Sequence, residues 1–257
     1  MTKHISFTVA DFVAEIVLNR PEKHNAVTPE MAAALQDACA SVDRDDEVRV
    51  VLIRGAGERA FSSGSDLNSL AEYPDAWKFR NRVIYEGTIR NIRKPVVAAL
   101  KGWVLGGGAE MALAADLRVA GRSIKMGFPE VKRGWVGGGG ASQMLPRIVG
   151  YGQAMRLLVT GEPIDANEAY RLGLVEYLVD DAEVEPTARA LCKQIARYSP
   201  VATQSVKAAT RMALSSSLDA GLRYENEMNT LCFTGQDHLE GIKAFYEKRS
   251  PRFTGSD

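Results

Sequence analysis

Three consecutive glycines and a carboxylate stand close together near the middle of the chain, in the stretch LKGWVLGGGAEMALAADLRVA at residues 100–120. Gly106, Gly107 and Gly108 follow an apolar run typical of a strand and precede an Ala-rich run typical of a helix, and glycine costs backbone entropy inside either element. A helix that begins near Gly107 presents free backbone N–H groups and the positive end of its dipole. The pattern suits a phosphate cradle, an oxyanion hole, or a tight strand-to-helix turn that binds nothing.

A second loop that contains a glycine, FSSGSD at residues 61–66, follows another apolar run. If neighbouring parallel strands lead into both loops, the loops meet at the carboxyl edge of the sheet, where α/β proteins bind ligands. Two N–H groups converging there would hold one carbonyl oxygen as it gains negative charge, and losing such a donor typically costs about 3–4 kcal/mol of barrier. Because the glycine turn matches neither a P-loop nor a dinucleotide fingerprint, nucleotide phosphate binding has little support.

Two carboxylates accompany these loops. Glu110 lies on the first turn of the predicted helix, where an isolated acid would simply complement the helix dipole. Glu130 follows a proline in MGFPEVKRG, between apolar residues and the pair Lys132 and Arg133, and an ordinary loop carboxylate is the alternative there. Two carboxylates near one oxyanion hole would instead suit paired proton transfer, one as general base and the other as general acid.

The elements that must position these residues alternate along the first half of the chain. Two alternating runs in HISFTVADFVAEIVLNR predict a β-hairpin, and Thr28 and Pro29 begin a predicted helix. Further strands are predicted at residues 48–55, at 94–100 and in LRVAG, and further helices at 75–93 and about 107–115. This alternation predicts an α/β fold with right-handed crossovers. On the 75–93 helix, Tyr85 and Glu86 either line a pocket or, by default, belong to a packing helix with the acid in solvent.

The last third of the chain has helical periodicity. Helices are predicted in GQAMRLLVTG, in DANEAYRLG, from Val184 to Tyr198, and twice more between about Pro200 and Arg249, whereas only LVEYLV looks extended. No linker-like segment separates this part from the rest. The sequence therefore predicts one domain over residues 1–257, with an α/β core over about 1–195 and a helical extension over about 196–257.

Composition excludes several classes of function. Lys plus Arg equals Asp plus Glu, at 32 each in 257 residues, so no global field favours nucleic acid or an anionic membrane. We expect no signal peptide and no membrane span, and a cytoplasmic location. Cys39, Cys192 and Cys232 are widely spaced and typical of reduced structural thiols. The three histidines do not cluster, so no metal site is predicted.

Taken together, the motifs resemble the crotonase family, also called the enoyl-CoA hydratase/isomerase superfamily, over almost the whole chain. The resemblance depends on their order and spacing, since any one motif is a weak signal. The matching stretches are LNRPEKHNAV, AFSSGSDL, KPVVAALKGWVLGGGAEMALAADLRVA, FPEVKRG, LPRIVGYGQAM, LVTGEPIDANEAYRLGLVEYLV, SPVATQSVKA and GIKAFYEKRSPRF. It implies an α/β fold in which β-β-α turns form a spiral, with a C-terminal helical layer.

The resemblance also implies a chemistry. In the family two backbone N–H groups polarise a CoA thioester carbonyl and stabilise an enolate, and here the matching donors are those of Ser65 and Gly107. Glu110 would orient and activate the water that attacks C3, Glu130 would deliver a proton to C2, and the backbone of Gly138 would help to hold the water. The implied reaction is hydration of a 2-enoyl-CoA to a 3-hydroxyacyl-CoA. No cofactor is implied, because CoA is part of the substrate.

Contacts to CoA are implied at two places. The residues in question are Lys23, His24, Ser63, Asp66 and Leu67 near the first loop, and Phe245 and Lys248 near the C-terminus. The C-terminal pair either covers the adenine end from a neighbouring subunit, in a homo-oligomer that is a trimer or a dimer of trimers, or packs a terminal helix.

Some residues depart from the family pattern. Residues 137–140 are all glycine, and Trp135 precedes them, where hydratases typically have the sequence Pro-Gly-Ala-Gly-Gly. In the first loop, Ser65 replaces the commoner alanine and Asn68 replaces a frequent lysine. These departures leave the acyl group open. The alternatives to hydration are an isomerase that moves a 3-enoyl double bond with one acid alone, and a non-catalytic member that binds acyl-CoA or RNA.

Overall fold

Alternating apolar residues at the N-terminus form the first pair of strands. The computed structural model describes residues 3–71 and 73–255 of the chain. The strands are β1 (Ile5–Ala10), β2 (Val13–Leu18), β3 (Val50–Gly55), β4 (Ala60–Ser62), β5 (Val96–Leu100), β6 (Trp103–Leu105), β7 (Leu117–Gly121), β8 (Lys125–Gly127), β9 (Ile164–Asp165) and β10 (Tyr177–Val179). β1 and β2 pair antiparallel, as the hairpin prediction requires.

Helices fill the connections and the last third of the chain. They are α1 (Pro29–Arg44), α2 (Leu67–Ala71), α3 (Ala76–Arg80), α4 (Tyr85–Arg90), α5 (Gly107–Ala114), α6 (Ala141–Val149), α7 (Tyr151–Thr160), α8 (Ala166–Arg171), α9 (Val184–Ala196), α10 (Pro200–Met212), α11 (Leu218–Thr234) and α12 (Gln236–Tyr246). Short 3-10 helices cover Pro21–Lys23, Pro129–Arg133 and Asp181–Glu183. The predicted α/β class with a C-terminal helical layer is confirmed.

The strands form two sheets that the chain visits in turn. A six-stranded sheet has the order β1-β2-β3-β5-β7-β10, and a four-stranded sheet has the order β4-β6-β8-β9. From β3 to β8, each repeat places one strand in the large sheet and the next in the small one before a helical segment follows, whereas α8 separates β9 of the small sheet from β10 of the large one. This repetition is the predicted spiral of β-β-α turns.

Buried residues on both faces hold the large sheet in place. Along β3 the side chains alternate, with Val51 and Ile53 in the main core and Val50 and Leu52 in a second core beneath α9. Burial on both faces explains why this strand is continuously apolar in sequence. The second core also contains Cys192, which is free, as are Cys39 and Cys232.

Two predicted boundaries are wrong. The expected 75–93 helix is interrupted between α3 and α4, since α3 ends at Asn81, whose side chain donates to the Trp77 carbonyl at 2.9 Å, and α4 begins only at Tyr85. The segment from Pro200 to Arg249 contains three helices, not two, since Ser217 caps α11 through the Ala220 amide and Gly235 separates α11 from α12.

Within the described residues, none of the helices is both long and apolar enough to cross a membrane.

A buried amide side chain connects the N-terminal loop to the small sheet. Asn25 accepts a hydrogen bond from the Arg20 amide at 2.9 Å and donates to the carbonyls of Ala56 at 3.0 Å and Ala60 at 2.9 Å. Its own carbonyl accepts from the Ser62 hydroxyl at 2.9 Å. Asn25 has no exposed surface. These contacts fix the start of the loop that follows β4.

Replacing Asn25 with alanine is expected to lower the free energy of unfolding by about 3 kcal/mol, because several buried backbone groups lose their partners at roughly 1–3 kcal/mol each. Denaturant unfolding measures the change. Asn167→Ala is the matched control, since Asn167 is an exposed amide on α8. A loss no larger in Asn25→Ala than in the control would contradict the assignment.

Candidate active site

The two glycine-bearing loops leave the ends of neighbouring strands in the small sheet. β4, β6 and β8 are parallel, and their carboxyl ends lead to the FSSGSD loop, the glycine turn and the segment of Glu130. The prediction that the loops meet at one sheet edge is therefore confirmed, but the strands involved are short ones that the sequence did not reveal. The predicted strands at 48–55 and 94–100 belong to the other sheet.

Glycine is required where the two loops touch. Gly64 and Gly106 have φ values of 88° and 54°, in the left-handed region that other residues rarely adopt. A Cβ on Gly64 would lie only 2.8 Å from the Gly107 nitrogen. The Gly106 amide donates to the carbonyl of Gly127 at 2.9 Å, which attaches the turn to the end of β8. The bare backbone thus permits contact between the loops as well as access to the turn.

The backbone N–H groups of Ser65 and Gly107 remain available. Next to Ser65, the Asp66 amide donates to the Val27 carbonyl and the Gly64 carbonyl accepts from the Val27 amide, which fixes the loop on both sides. Gly107 is the first residue of α5, where amides have no partner within the helix. Across residues 3–71 and 73–255, neither N–H is a hydrogen-bond donor to another group of the chain. Both can serve an oxygen atom of a ligand.

Glu110 is held by the glycine-rich segment that precedes α6. Its side chain is on the first turn of α5 and only 2% exposed. One oxygen, Oε1, accepts hydrogen bonds from the amides of Gly139 at 2.9 Å and Ala141 at 3.0 Å. Two amide donors satisfy one oxygen of the buried group and leave Oε2 for other partners.

Glu130 lies close to Glu110, beside the same segment. A Cβ on Gly137 would be 2.7 Å from Oε1 of Glu110 and 3.5 Å from Oε1 of Glu130, and a Cβ on Gly106 would be 3.1 Å from the latter atom. Burial raises the pKa of Glu130, and the charge of Glu110 adds to the rise, whereas its own amide and Arg133 oppose it. A raised pKa favours the protonated form of this carboxyl.

A third carboxyl, that of Glu86, reaches the same place from α4. The default expectation of a solvated acid is wrong, because Glu86 is only 5% exposed. Burial raises its pKa to about 8, and the negative charge of Glu110 adds to the rise, whereas its own amide, Tyr85 and Arg82 act against it. One signal could have identified it in the sequence: Glu86 is three residues before Ile89 and so shares the buried face of α4.

Tyr85 brings a phenol to the glycine turn. Its hydroxyl and that of Ser65 lie 2.9 Å apart, and a Cβ on Gly107 would be only 2.0 Å from the Tyr85 oxygen. Burial raises the pKa of Tyr85 well above its ordinary range, so the phenol keeps its proton. The hydroxyl of Ser65, which departs from the family pattern, therefore has a partner inside the site.

Two other predicted site residues, Asp66 and Gly138, lie beside arginine side chains. The carboxylate of Asp66 accepts from the Arg20 guanidinium at 2.5 Å and from the amides of Asn68 and Ser69, so its visible role is to hold the loop and begin α2. Gly138 lies between the two glycines nearest the acids, and a Cβ on it would come 2.6 Å from Arg82 Nη2.

The remaining predicted CoA contacts lie on or near the surface. Lys23 and Leu67 are exposed, and His24 and Ser63 are half-buried, with the Ser63 amide donating to the His24 carbonyl at 3.0 Å. The distant pair, Phe245 and Lys248, is exposed at the end of α12 and just beyond it. In the part of the chain that the structure describes, no group of three or more His, Cys, Asp or Glu residues is placed to hold a metal ion.

Two available N–H groups beside buried carboxyls, on a spiral of β-β-α turns, define a crotonase-type site. The sequence model described as enoyl-CoA hydratase/isomerase matches residues 8–256. The (E)-benzylidenesuccinyl-CoA hydratase of Thauera aromatica is 35% identical over 254 residues, which cover 98% of this chain and 99% of that protein. The crotonyl-CoA hydratase of Syntrophomonas wolfei is 35% identical over 245 residues, 94% of each chain.

Solved structures agree with the sequence relatives. The crystal structure of an enoyl-CoA hydratase from Bacillus anthracis superposes with a TM-score of 0.94 at 33% identity and covers 99% of this chain and 100% of that one. The chain belongs to the enoyl-CoA hydratase/isomerase family, and it is an enzyme of the hydro-lyase type. The resemblance inferred from the motifs is thus confirmed.

Gly139→Ala is expected to destabilise the site, because a Cβ there would lie 2.4 Å from Cδ of Glu86 and 2.7 Å from Oε2 of Glu110. We expect the free energy of unfolding to fall by about 1–3 kcal/mol, as for other overpacking changes. Gly152→Ala is the matched control, since a Cβ on Gly152 has no neighbour within 4 Å. Equal stability of the two variants in denaturant would refute the close packing of the carboxyls.

Proposed function

We propose that the enzyme adds water across the double bond of a 2-enoyl-CoA to give a 3-hydroxyacyl-CoA. The observation that carries the proposal is that Glu110 and Glu130 approach the same face of the Gly137–Gly140 segment, beside the free N–H groups of Ser65 and Gly107. Relatives named as hydratases of benzylidenesuccinyl-CoA and crotonyl-CoA support the same reaction class.

The thioester oxygen would accept hydrogen bonds from Ser65 N–H and Gly107 N–H. Withdrawal of electrons toward this oxygen makes C3 electrophilic, and the two donors stabilise the enolate that forms when C3 is attacked. Neither donor has another partner in the described chain, so neither must break a bond before it binds the substrate.

Glu110 would act as the base. Its Oε1 accepts from the Gly139 and Ala141 amides, so Oε2 is the oxygen left to accept a proton from water. As the water oxygen forms its bond to C3, the water proton moves to Glu110 and the π electrons of the C2–C3 bond move into the enolate.

Glu130 would act as the acid. The enolate collapses as the C2–H bond forms with the proton of Glu130, and the thioester carbonyl is restored. Burial raises the pKa of Glu130, which favours a carboxyl that carries a proton before the reaction. After turnover Glu110 holds a proton and Glu130 lacks one, and the transfer of that proton resets the site.

The CoA portion would lie along the surface near Lys23 and His24, with Ser63, Asp66 and Leu67 on the adenine side. Lys23 is exposed and free to meet a phosphate, whereas the pairing of Asp66 with Arg20 limits Asp66 to holding the loop around the ligand. Phe245 and Lys248 would complete the adenine end from a second subunit.

We also propose that the chain forms a trimer or a dimer of trimers through its C-terminal helices. No residue of α11 is buried, although the helix carries several large apolar side chains, namely Leu218, Leu222, Leu231 and Phe233. Exposed apolar surface of this kind marks a surface of contact with another chain. The mass in solution should be three or six times that of the 28.0 kDa chain, and a monomer at micromolar concentration would refute the assembly.

Turnover of a panel of CoA thioesters tests the function. The panel contains crotonyl-CoA, a longer straight-chain 2-enoyl-CoA, an aryl-substituted 2-enoyl-CoA and a 3-enoyl-CoA. We expect the enoyl absorbance of one or more 2-enoyl substrates to fall, with a product heavier by one water. A gain of conjugated absorbance from the 3-enoyl substrate without addition of water would identify an isomerase instead.

Glu130→Gln is expected to lower kcat by roughly 10²–10⁴-fold while KM changes little, because the substitution keeps the shape of the side chain and removes its transferable proton. Steady-state kinetics on the best substrate of the panel measures both constants. Glu47→Gln, at an exposed position, controls for the loss of a carboxyl elsewhere. Wild-type rates in Glu130→Gln would rule out the two-glutamate mechanism.

A further inference from the structure

The proposed reaction uses two carboxyls, but three are buried together. Glu86 extends from α4 to both halves of the site. A Cβ on Gly107 would be 2.7 Å from its Oε1, and a Cβ on Gly139 would be 2.4 Å from its Cδ. Glu86 therefore lies between the oxyanion turn and the amide that holds Glu110.

Glu86 and Glu110 are close neighbours. The Cβ position of Gly139 that is 2.4 Å from Cδ of Glu86 is also 2.7 Å from Oε2 of Glu110, the oxygen that the backbone amides leave free. Two ionised carboxylates at such a separation repel each other strongly, so one of them keeps its proton. A protonated carboxyl donates a hydrogen bond, whereas an ionised one only accepts.

The two backbone amides favour Glu110 as the charged member of the pair. Hydrogen bonds from N–H groups stabilise a carboxylate, and Glu110 receives two of them at Oε1. Glu86 has its own amide, Tyr85 and the charge of Arg82 beside it, but its burial, together with the charge of Glu110, outweighs all three. The protonated partner is thus Glu86.

We propose that Glu86 is a positioning residue, a neutral carboxyl that orients the carboxylate of Glu110 toward the water, and that its ionisation at alkaline pH disrupts this arrangement. This inference rests on the proposed hydration. Glu86 makes no bond to the reacting atoms in this scheme and acts through Glu110.

The groups that face Glu86 come from three elements. From α4 and the turn before it come Tyr85 and Arg82, and from α5 comes Glu110. The third element, α1, packs on α4 as well, and two of its titratable groups have other partners: Cys39 accepts from the Thr88 hydroxyl, and Asp43 accepts from the Arg93 amide. Only Glu110 among these carries a negative charge next to Glu86.

The pH dependence of kcat/KM tests the inference. In the wild type, ionisation of Glu130 removes the acid and ionisation of Glu86, with a pKa of about 8, removes the orientation of Glu110. The alkaline limb of log kcat/KM should therefore steepen toward a slope of about two. In Glu86→Gln, whose amide stays neutral at every pH, the limb should keep a slope of about one, and activity at neutral pH should fall by less than in Glu86→Ala.

A second measurement separates positioning from simple packing. Because the pKa of Glu86 is raised on folding, the folded protein binds more protons than the unfolded chain between the ordinary carboxyl range and about pH 8. The protonated Glu86 side chain contributes its whole share of the folding free energy below the ordinary carboxyl pKa, and this share is lost as the pH rises through about 8. The stability of Glu86→Gln relative to the wild type should therefore increase with pH. A purely structural residue would show this gain without any change in the shape of the rate profile.

Several outcomes would overturn the inference. An alkaline limb in Glu86→Gln as steep as in the wild type would do so, and so would a Glu86→Ala protein with wild-type kcat at neutral pH. If Glu86→Ala does not fold, Glu86→Gln alone decides the question. Absence of enoyl-CoA hydration in the wild type would refute the proposed function instead, so the two failures are distinguishable. Glu47→Gln, which should keep the wild-type profile, is the control.

Discussion

The contact between Glu110 and the amides of Gly139 and Ala141 is the interaction on which the site depends. It joins the first turn of α5 to the segment before α6, and so connects the glycine turn to the Gly137–Gly140 segment, beside which Glu86 and Glu130 also lie. A buried carboxylate requires such donors, since desolvation without them costs more than the fold can supply. The glycines at 137–140 keep the backbone bare enough for those donors to reach it.

The alternation of the chain between two sheets explains why the site forms where it does. Long strands of the large sheet form a core on both faces, and short strands of the small sheet carry the loops. β4, β6 and β8 each end in a segment of the site, so their parallel alignment brings Ser65, Gly107 and Glu130 together. Stability and chemistry are thus assigned to different strands of the same repeat.

Much of this arrangement could be predicted from the sequence, because it depends on local chemistry. The hairpin and the glycine turn each have a residue pattern that indicates their structure, whereas Glu110 and Glu130 became candidates for catalysis through the order and spacing of the family motifs. β4, β6 and β8 escaped prediction because three residues are too few to show periodicity. The burial of Glu86 depends on the packing of α4 against α5, which propensities do not describe, and the break before α4 follows the end of α3 at Asn81, whose side chain donates to the Trp77 carbonyl.

The proposed oxyanion donors belong to the main chain, and this has a consequence for how the enzyme can change. No substitution of a side chain removes a backbone N–H, apart from proline, whereas Glu86, Glu110 and Glu130 can each be exchanged singly. In the proposed mechanism, the polarisation of the thioester is therefore the part that survives most substitutions, and proton transfer is the part that a single substitution can change. A chain of this design can acquire a new reaction on the same class of thioester by replacing one acid while the fold and the carbonyl-binding turn stay as they are.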